Sequence, residues 1–211
     1  KIGLPAGMQG AIFSISNVLI QSSVNSFGSI AMAGNTASAN IEGFVYTAMN
    51  ALYQTNLSFT SQNIGARMYT RVNRILFICL GTVTAVGMAL GFLAVIGGTD
   101  LLKIYSSDPE VISYGMLRMS IICTTYFICG WMDTLVGSLR GMGYSVLPMV
   151  VSLTGACGLR VIWIFTIFAY HHTLFSLYIS YPISWLITAA AHMICYRKTY
   201  KKIPKKDGVI V

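Results

Sequence analysis

Between Lys1 and Arg67 the chain carries a single charged residue, Glu42. Three cations then arrive together, Arg67, Arg71 and Arg74, and a second run without charge extends from Ile75 to Thr99. A water-facing helix or sheet needs a polar face, and runs of this length and composition cannot supply one. A water-soluble domain usually carries about 25% charged residues, whereas 9% of these 211 residues are charged and 55% are hydrophobic. The expected fold class is an all-α integral membrane protein, because a helix satisfies its backbone polar groups internally where no water is present.

A helix crosses the hydrocarbon with roughly 20 apolar residues. Six stretches are long enough, at about 5–27, 36–63, 74–96, 111–139, 146–170 and 174–196, with a basic tail over 197–211. They predict a six-helix transmembrane bundle. Pro5 suits a first turn, where its missing N–H does no harm. Gly65 is placed to end the second helix at positive φ, Gly97-Gly98 closes the third, and Pro182 is expected to bend the last. Gly3/Gly7, Gly87/Gly91 and Gly137/Gly141 repeat at a spacing that lets membrane helices approach closely.

Short connections make neighbouring spans antiparallel. Alternation then gathers Lys1, Arg67, Arg71, Arg74, Arg140, Arg197, Lys198, Lys201, Lys202, Lys205 and Lys206 on one side. Asp100, Lys103, Asp108, Glu110, His171 and His172 fall on the other. Lys and Arg collect on the cytoplasmic side, so the expectation is a multi-pass protein of the cell membrane with both ends of this sequence in the cytoplasm. The tail is expected either against anionic lipid headgroups or in solvent. The chain begins with Lys rather than Met and is expected to be part of a longer polypeptide.

Several classes of function are disfavoured. The net charge of +8 does not point to nucleic acid, since the basic residues cluster at span ends and not along an amphipathic face. Cys79, Cys123, Cys129, Cys157 and Cys195 lie in apolar runs without a C-x-x-C pair, so neither disulfides nor a metal site is expected. No Ser/His/Asp or Cys/His arrangement and no phosphate-cradling loop is present, and no catalytic residue, enzyme activity or cofactor is expected.

Polar side chains inside spans are costly unless they face protein or water, so their spacing maps an inner face. In the first span Ser14, Asn17, Gln21 and Asn25 share a stripe; in the second Glu42, Tyr46, Asn50, Gln54 and Ser61 recur at helical spacing; in the fourth Tyr126, Asp133, Gly137 and Arg140 share a face. The stripes predict a water-filled cavity for amphipathic or cationic small molecules, against the alternative of hydrogen bonds between helices in a dry bundle. Asp133 lies at a depth similar to Arg160 on the next helix. Two readings stand: a structural Asp133–Arg160 ion pair, or a titratable carboxylate that exchanges a proton or cation. Glu42, the other cation candidate, is expected near the outer mouth as a solvated carboxylate, with Arg118 snorkelling outwards. His192 is expected to be packed.

Gly3-Leu4-Pro5-Ala6-Gly7 at the start of one helix, Gln62-Asn63-Ile64-Gly65-Ala66 at the end of another and Leu139-Arg140-Gly141-Met142-Gly143 at the end of a third resemble the C-terminal half of a MATE (multidrug and toxic compound extrusion) transporter, in order and spacing across all 211 residues. The resemblance implies one lobe of a twelve-helix transporter, with the N-terminal lobe upstream in the same polypeptide and a cavity between the two. It implies efflux of organic compounds, often cationic, driven by H⁺ or Na⁺ through alternating access. It also implies that Gln62, Asn63 and Arg140 shape the lobe and do not bind cargo. The chain departs from the family in lacking an acid on its first helix, where Phe13 and Ser14 occupy the relevant positions, so the coupling acid is expected in the other lobe or at Asp133. The alternatives carried beside this are a flippase of lipid-linked oligosaccharides, which uses a similar frame with a more basic cavity, and a non-transporting membrane scaffold.

Overall fold

A computed structural model describes residues 3–204, and all its regular elements are helices. In chain order they are α1 (Gly3–Asn25), α2 (Ser29–Gly65), α3 (Tyr69–Ile96), the short α4 (Gly98–Lys103), α5 (Pro109–Gly141), α6 (Val146–Phe168) and α7 (Leu174–Tyr200). The expectations placed on Lys1, the Pro5 ring, Lys205 and Lys206 fall outside the described residues. Among the described residues, α3, α5, α6 and α7 are long and apolar enough to cross a membrane. α2 is not among them although it has 37 residues, about 55 Å at 1.5 Å per residue. It buries Asn35, Ser38, Glu42, Asn56 and Thr60, which lower the hydropathy of a helix whose polar groups face protein.

Helix ends depart from the apolar stretches. α2 starts at Ser29 and α3 at Tyr69, earlier than hydropathy places them, and α7 runs on to Tyr200. Intrahelical hydrogen bonding continues past the apolar region, so a span and its helix need not coincide. Arg71 and Arg74 consequently sit in the first turns of α3 and not in a loop.

Two of the motifs are helix stops of the same design. At the end of α5 the Tyr144 N–H donates to the Leu139 carbonyl at 3.0 Å and the Gly143 N–H to Arg140 at 2.9 Å, with Gly143 at φ 92°. At the end of α2 the Met68 N–H donates to Asn63 at 2.8 Å and the Arg67 N–H to Ile64 at 3.1 Å, with Arg67 at φ 56°. Both are Schellman caps, which place one residue in the left-handed region. The positive φ expected at Gly65 therefore falls on Arg67, two residues later, while Gly65 remains helical. α5 begins with Asp108 accepting from the Glu110 N–H at 2.8 Å and Pro109 in the first turn. Thr173 caps α7 by accepting from the Ser176 N–H at 3.1 Å.

α5 is the central helix and packs against α2, α3 and α7. Small residues allow this. A side chain added at Gly91 of α3 would run into the Cys123 carbonyl oxygen, and one at Gly87 would stand 3.0 Å from the Phe127 backbone. Gly137 and Gly141 of α5 close in the same way on Tyr53 and Thr60 of α2. Gly7 of the first repeat faces open space.

α6 is wound as a π-helix over Leu153–Gly158 and Ile164–Phe168, with one ordinary stretch, Leu159–Trp163, between them. Such wide turns are rare and concentrate at functional sites. The contacts also separate two ends of the bundle. Tyr196 on Asn73 and Gly141 on Thr60 mark one end, where Arg67, Arg71, Arg74, Arg140 and Arg197 gather. His172 on Ser26 and Tyr178 on Asn35 mark the other.

A bulky residue at the α3–α5 crossing should be costly. Gly91→Leu is expected to destabilise the protein by about 1–3 kcal/mol, the usual cost of overpacking. Gly43→Leu, at a position with nothing within 4 Å, should leave thermal melting in detergent unchanged.

Candidate functional site

The buried polar face of α2 is built on seven-residue steps. Asn35, Glu42 and Asn56, with Met49 between the last two, all point inward and are at most 5% exposed. A four-residue step advances about 40° around a helix of 3.6 residues per turn, so three such steps turn a residue about 120° away. A seven-residue step drifts by only about 20°. That is why Gln54 and Ser61, at the far end of the four-residue stripe, are exposed, while Asn50 is half-buried. Asn56, which the four-residue pattern passes over, donates to the Thr134 carbonyl at 2.6 Å and to Ser138 Oγ at 2.7 Å, tying α2 to α5.

Glu42 departs from expectation. It is 5% exposed and forms a two-pronged ion pair with Arg118, Nε to Oε1 at 2.8 Å and Nη2 to Oε2 at 2.7 Å. Ser38 Oγ also donates to Oε1 at 3.1 Å. Arg118 does not snorkel; its Nη1 donates to Asn35 Oδ1 at 2.7 Å, an oxygen that also accepts from the Tyr178 hydroxyl at 3.1 Å. The Asn35 amide donates to Gln21 Oε1 at 2.8 Å, which brings α1 into the network. An intramembrane charge is stabilised by a partner inside the bundle, and this one joins α1, α2, α5 and α7.

Beside the network lie two adjoining cavities. The smaller, about 260 Å³, is lined by Asn17, Gln21, Asn35, Glu42 and Arg118. The larger, about 430 Å³, is lined by Gln9, Phe13, Asn17, Tyr46, Cys129, Asp133, Arg140 and Arg160. Tyr126, Tyr181, Trp185 and Asn17 line both. Tyr126 and Trp185 have ring centroids 5.4 Å apart, and Tyr181 and Trp185 5.7 Å apart in a T-shaped contact, so the shared wall is aromatic.

Asp133 is half-buried and makes no hydrogen bond or ion pair with a described residue. The Asp133–Arg160 ion pair, one of the two readings open from the sequence, is not formed. Arg160 Nε donates to Ser184 Oγ at 3.0 Å and its guanidinium lies 4.2 Å over the Tyr181 ring, which turns it towards α7. Both residues nevertheless line the larger cavity. Arg140, expected at a span end as a shaping residue, also reaches into this cavity and donates to the Tyr53 hydroxyl at 2.8 Å and to Gln9 Oε1 at 2.7 Å.

Of the other residues singled out from the sequence, Asn17, Gln21, Tyr46 and Tyr126 line the cavities. Ser14 bonds back to the Gly10 carbonyl at 3.1 Å, and Asn25, the last residue of α1, is exposed. Gln62 is exposed and Asn63 bonds to Phe59 of its own helix. His192 is packed, 3.0 Å from Ser152 Oγ. Gln9, Asn35, Tyr178, Tyr181 and Trp185 were not marked by the sequence; the last three lie on α7 in an apolar stretch where aromatic residues carry no periodic signal.

The MatE family model matches residues 5–166. The chain belongs to the MatE family. Among its relatives, the probable multidrug resistance protein YoeA of Bacillus subtilis is 21% identical over 96% of this chain and 44% of its own length. The probable multidrug resistance protein NorM of Aromatoleum aromaticum is 24% identical over 72% of this chain and 33% of its own length. The bent form of the Vibrio cholerae MATE transporter VcmN superposes with a TM-score of 0.85 at 18% identity, covering 95% of this chain and 45% of that one. The MatE chain thus spans less than half the length of these relatives, and its fold is the all-α membrane fold that they share.

In this MatE chain the Glu42–Arg118 pair should behave as a buried pair. Glu42→Gln is expected to lose about 3–5 kcal/mol, because it leaves the guanidinium unpaired, while replacing both partners should recover most of the loss. Melting of Glu42→Gln and of Glu42→Gln/Arg118→Met in detergent checks this.

Proposed function

We propose that this chain is the C-terminal lobe of a secondary-active exporter of amphipathic organic compounds, working by alternating access with a second lobe of the same polypeptide. Family membership supports the class, as does the multidrug-resistance description of its relatives. The observation that carries the reading is the cavity. It is walled by Tyr126, Tyr181 and Trp185, edged with amides and guanidiniums, and holds one carboxylate, Asp133, without a bonded partner among the described residues. Aromatic walls accept varied planar cargo, and a carboxylate without a hydrogen bond or ion pair to a described residue is available to bind H⁺ or Na⁺ as the cavity changes sides. Glu42, whose charge is taken up by Arg118, is a poor candidate for that role. Cation gathering at one end of the bundle supports a cytoplasmic location for that end in the cell membrane.

Dye efflux from cells carrying the full-length protein, with and without a proton or sodium gradient, tests the reading; efflux that ignores both gradients would overturn it. Asp133→Asn should reduce gradient-driven efflux at least about tenfold, equivalent to about 1.4 kcal/mol, with expression and melting unchanged. Reporter fusions at Arg71 and after Lys202 should both report from the cytoplasm.

A further inference from the structure

We propose that the seam between α3 and α7 is a binding site for a phospholipid with an anionic headgroup, drawn from the leaflet at the basic end of the bundle. The site is separate from the cavity beside Asp133 and requires only that the chain lies in a membrane.

Both α3 and α7 pack on α5, and an apolar groove of about 450 Å³ is lined by all three. The α5 residues in it are Trp131 and Leu135. Each is two residues from Asp133, about 200° round a helix of 3.6 residues per turn. The groove therefore lies on the far side of α5 from the cavity that Asp133 lines. Two features keep it open and apolar. A side chain added at Gly81, in the α3 wall, would meet nothing within 4 Å. The Trp131 indole N–H donates to Thr84 Oγ1 at 2.7 Å, and the Thr84 hydroxyl donates to the Leu80 carbonyl at 2.7 Å, so these polar groups are satisfied by protein. The exposed Phe77 and Leu186 edge the groove. In a bilayer such a groove fills with an acyl chain, because an empty one would forfeit the dispersion contacts of its lining.

Both walls turn basic towards the same end. On α3 the stripe of Phe77, Gly81 and Thr84 continues back to Arg74; on α7 the stripe of Leu186, Ala190 and Met193 continues to Arg197 and Lys201. Steps of three and four residues keep each set within about 80° of arc. The Tyr196 hydroxyl donates to Asn73 Oδ1 at 3.4 Å and ties the two helices where the change occurs. Beyond it a smaller cavity of about 250 Å³ opens between Tyr69 and Thr70 on one side and Tyr200 and Lys201 on the other. Arg74, Arg197 and Lys201 are exposed and form no ion pair with a described residue. Basic pockets between transmembrane helices bind anionic headgroups. The lengths agree as well. Leu186 and Arg197 are separated by about 16 Å of helix at 1.5 Å per residue, and one leaflet contributes about 15 Å of hydrocarbon. A phosphate at the cations thus places its acyl chain along the groove. The other apolar groove, about 540 Å³ between α2, α3 and α4, lacks this combination: Lys103 beside it is paired with Asp100 at 3.0 Å.

The test uses the full-length protein in vesicles that contain brominated phosphatidylglycerol (anionic) or brominated phosphatidylcholine (zwitterionic), whose bromines quench a tryptophan in contact with the acyl chain. The signal of Trp131 is the difference between wild type and Trp131→Phe. If Trp131→Phe does not fold, Phe77→Trp, at the exposed edge of the groove, supplies an added signal instead. Quenching at the groove should favour phosphatidylglycerol about tenfold or more. Arg74→Gln/Arg197→Gln should remove at least about fivefold of that preference, since each basic side chain near an anionic surface contributes about that much, with melting in detergent unchanged. Gly81→Leu, which fills the groove, should protect Trp131 from both lipids. The proposal is overturned if the two lipids quench equally or if the preference survives the double charge variant, either of which would leave ordinary surrounding lipid. It is also overturned if the groove tryptophan of the folded protein is shielded from both lipids, which would place the other lobe or a second copy of the chain over the groove.

Discussion

Glu42 and Arg118 meet inside the bundle, both buried, and much of the bundle is arranged around that meeting. Hydrocarbon offers no hydrogen bonds, so a charge placed in it must be satisfied by protein. Here the carboxylate takes two guanidinium nitrogens and a serine hydroxyl, and the third guanidinium nitrogen takes Asn35. Asn35 then commits Gln21 and Tyr178. One ion pair thereby fixes the relative positions of four helices at one end of the molecule. At the other end the same task falls to neutral contacts, Asn56 bridging to α5 and Gly141 admitting Thr60.

The cavities lie beside this framework. α5 approaches α2 and α3 closely because glycines remove the side chains between them, and α7 reaches α5 through Tyr181 and Trp185. The larger cavity is lined from α1, α2, α5, α6 and α7 by a mixture of polar and aromatic side chains. The charges there are handled differently from the pair at Glu42. Arg140, Arg160 and Asp133 line one cavity without forming an ion pair among them, and Arg140 and Arg160 lean on hydroxyls, an amide oxygen and rings. Glu42 and Arg118 are joined directly, whereas the charges that line the larger cavity form no ion pair with one another among the described residues. Arg118 and Arg160, both buried, thus differ in their partners: a carboxylate for one, a hydroxyl and an aromatic face for the other.

Much of this was legible in the residues. The charge-poor runs pointed to the all-α membrane class, and three short motifs at helix starts and ends, in order and spacing, pointed to the family. Asn17, Gln21, Tyr46, Tyr126 and Asp133, marked by their helical spacing, line the cavities. What misled was the step length on α2: a run of four-residue spacings looks like one face locally, but winds away from it over three turns, which hid Asn56 and carried Gln54 to the surface. Depth also misled at Asp133 and Arg160. Equal depth on adjacent helices permits a pair, but the direction of each side chain decides it, and Ser184 and Tyr181 on α7 turn Arg160 away.

The sequence alone determined that the chain is helical and that it belongs in a membrane, because these follow from local composition, while the helix ends were set by backbone hydrogen bonds that run past the apolar stretches. It also limited the charges available inside to a handful of named residues. Only the tertiary structure decided how those charges are distributed: Glu42 to Arg118, Arg140 to Tyr53 and Gln9, Arg160 to Ser184 and an aromatic face. The physical reason is that pairing depends on which helices cross and at what rotation. Both are set by packing among residues far apart in the chain, and no local pattern encodes them.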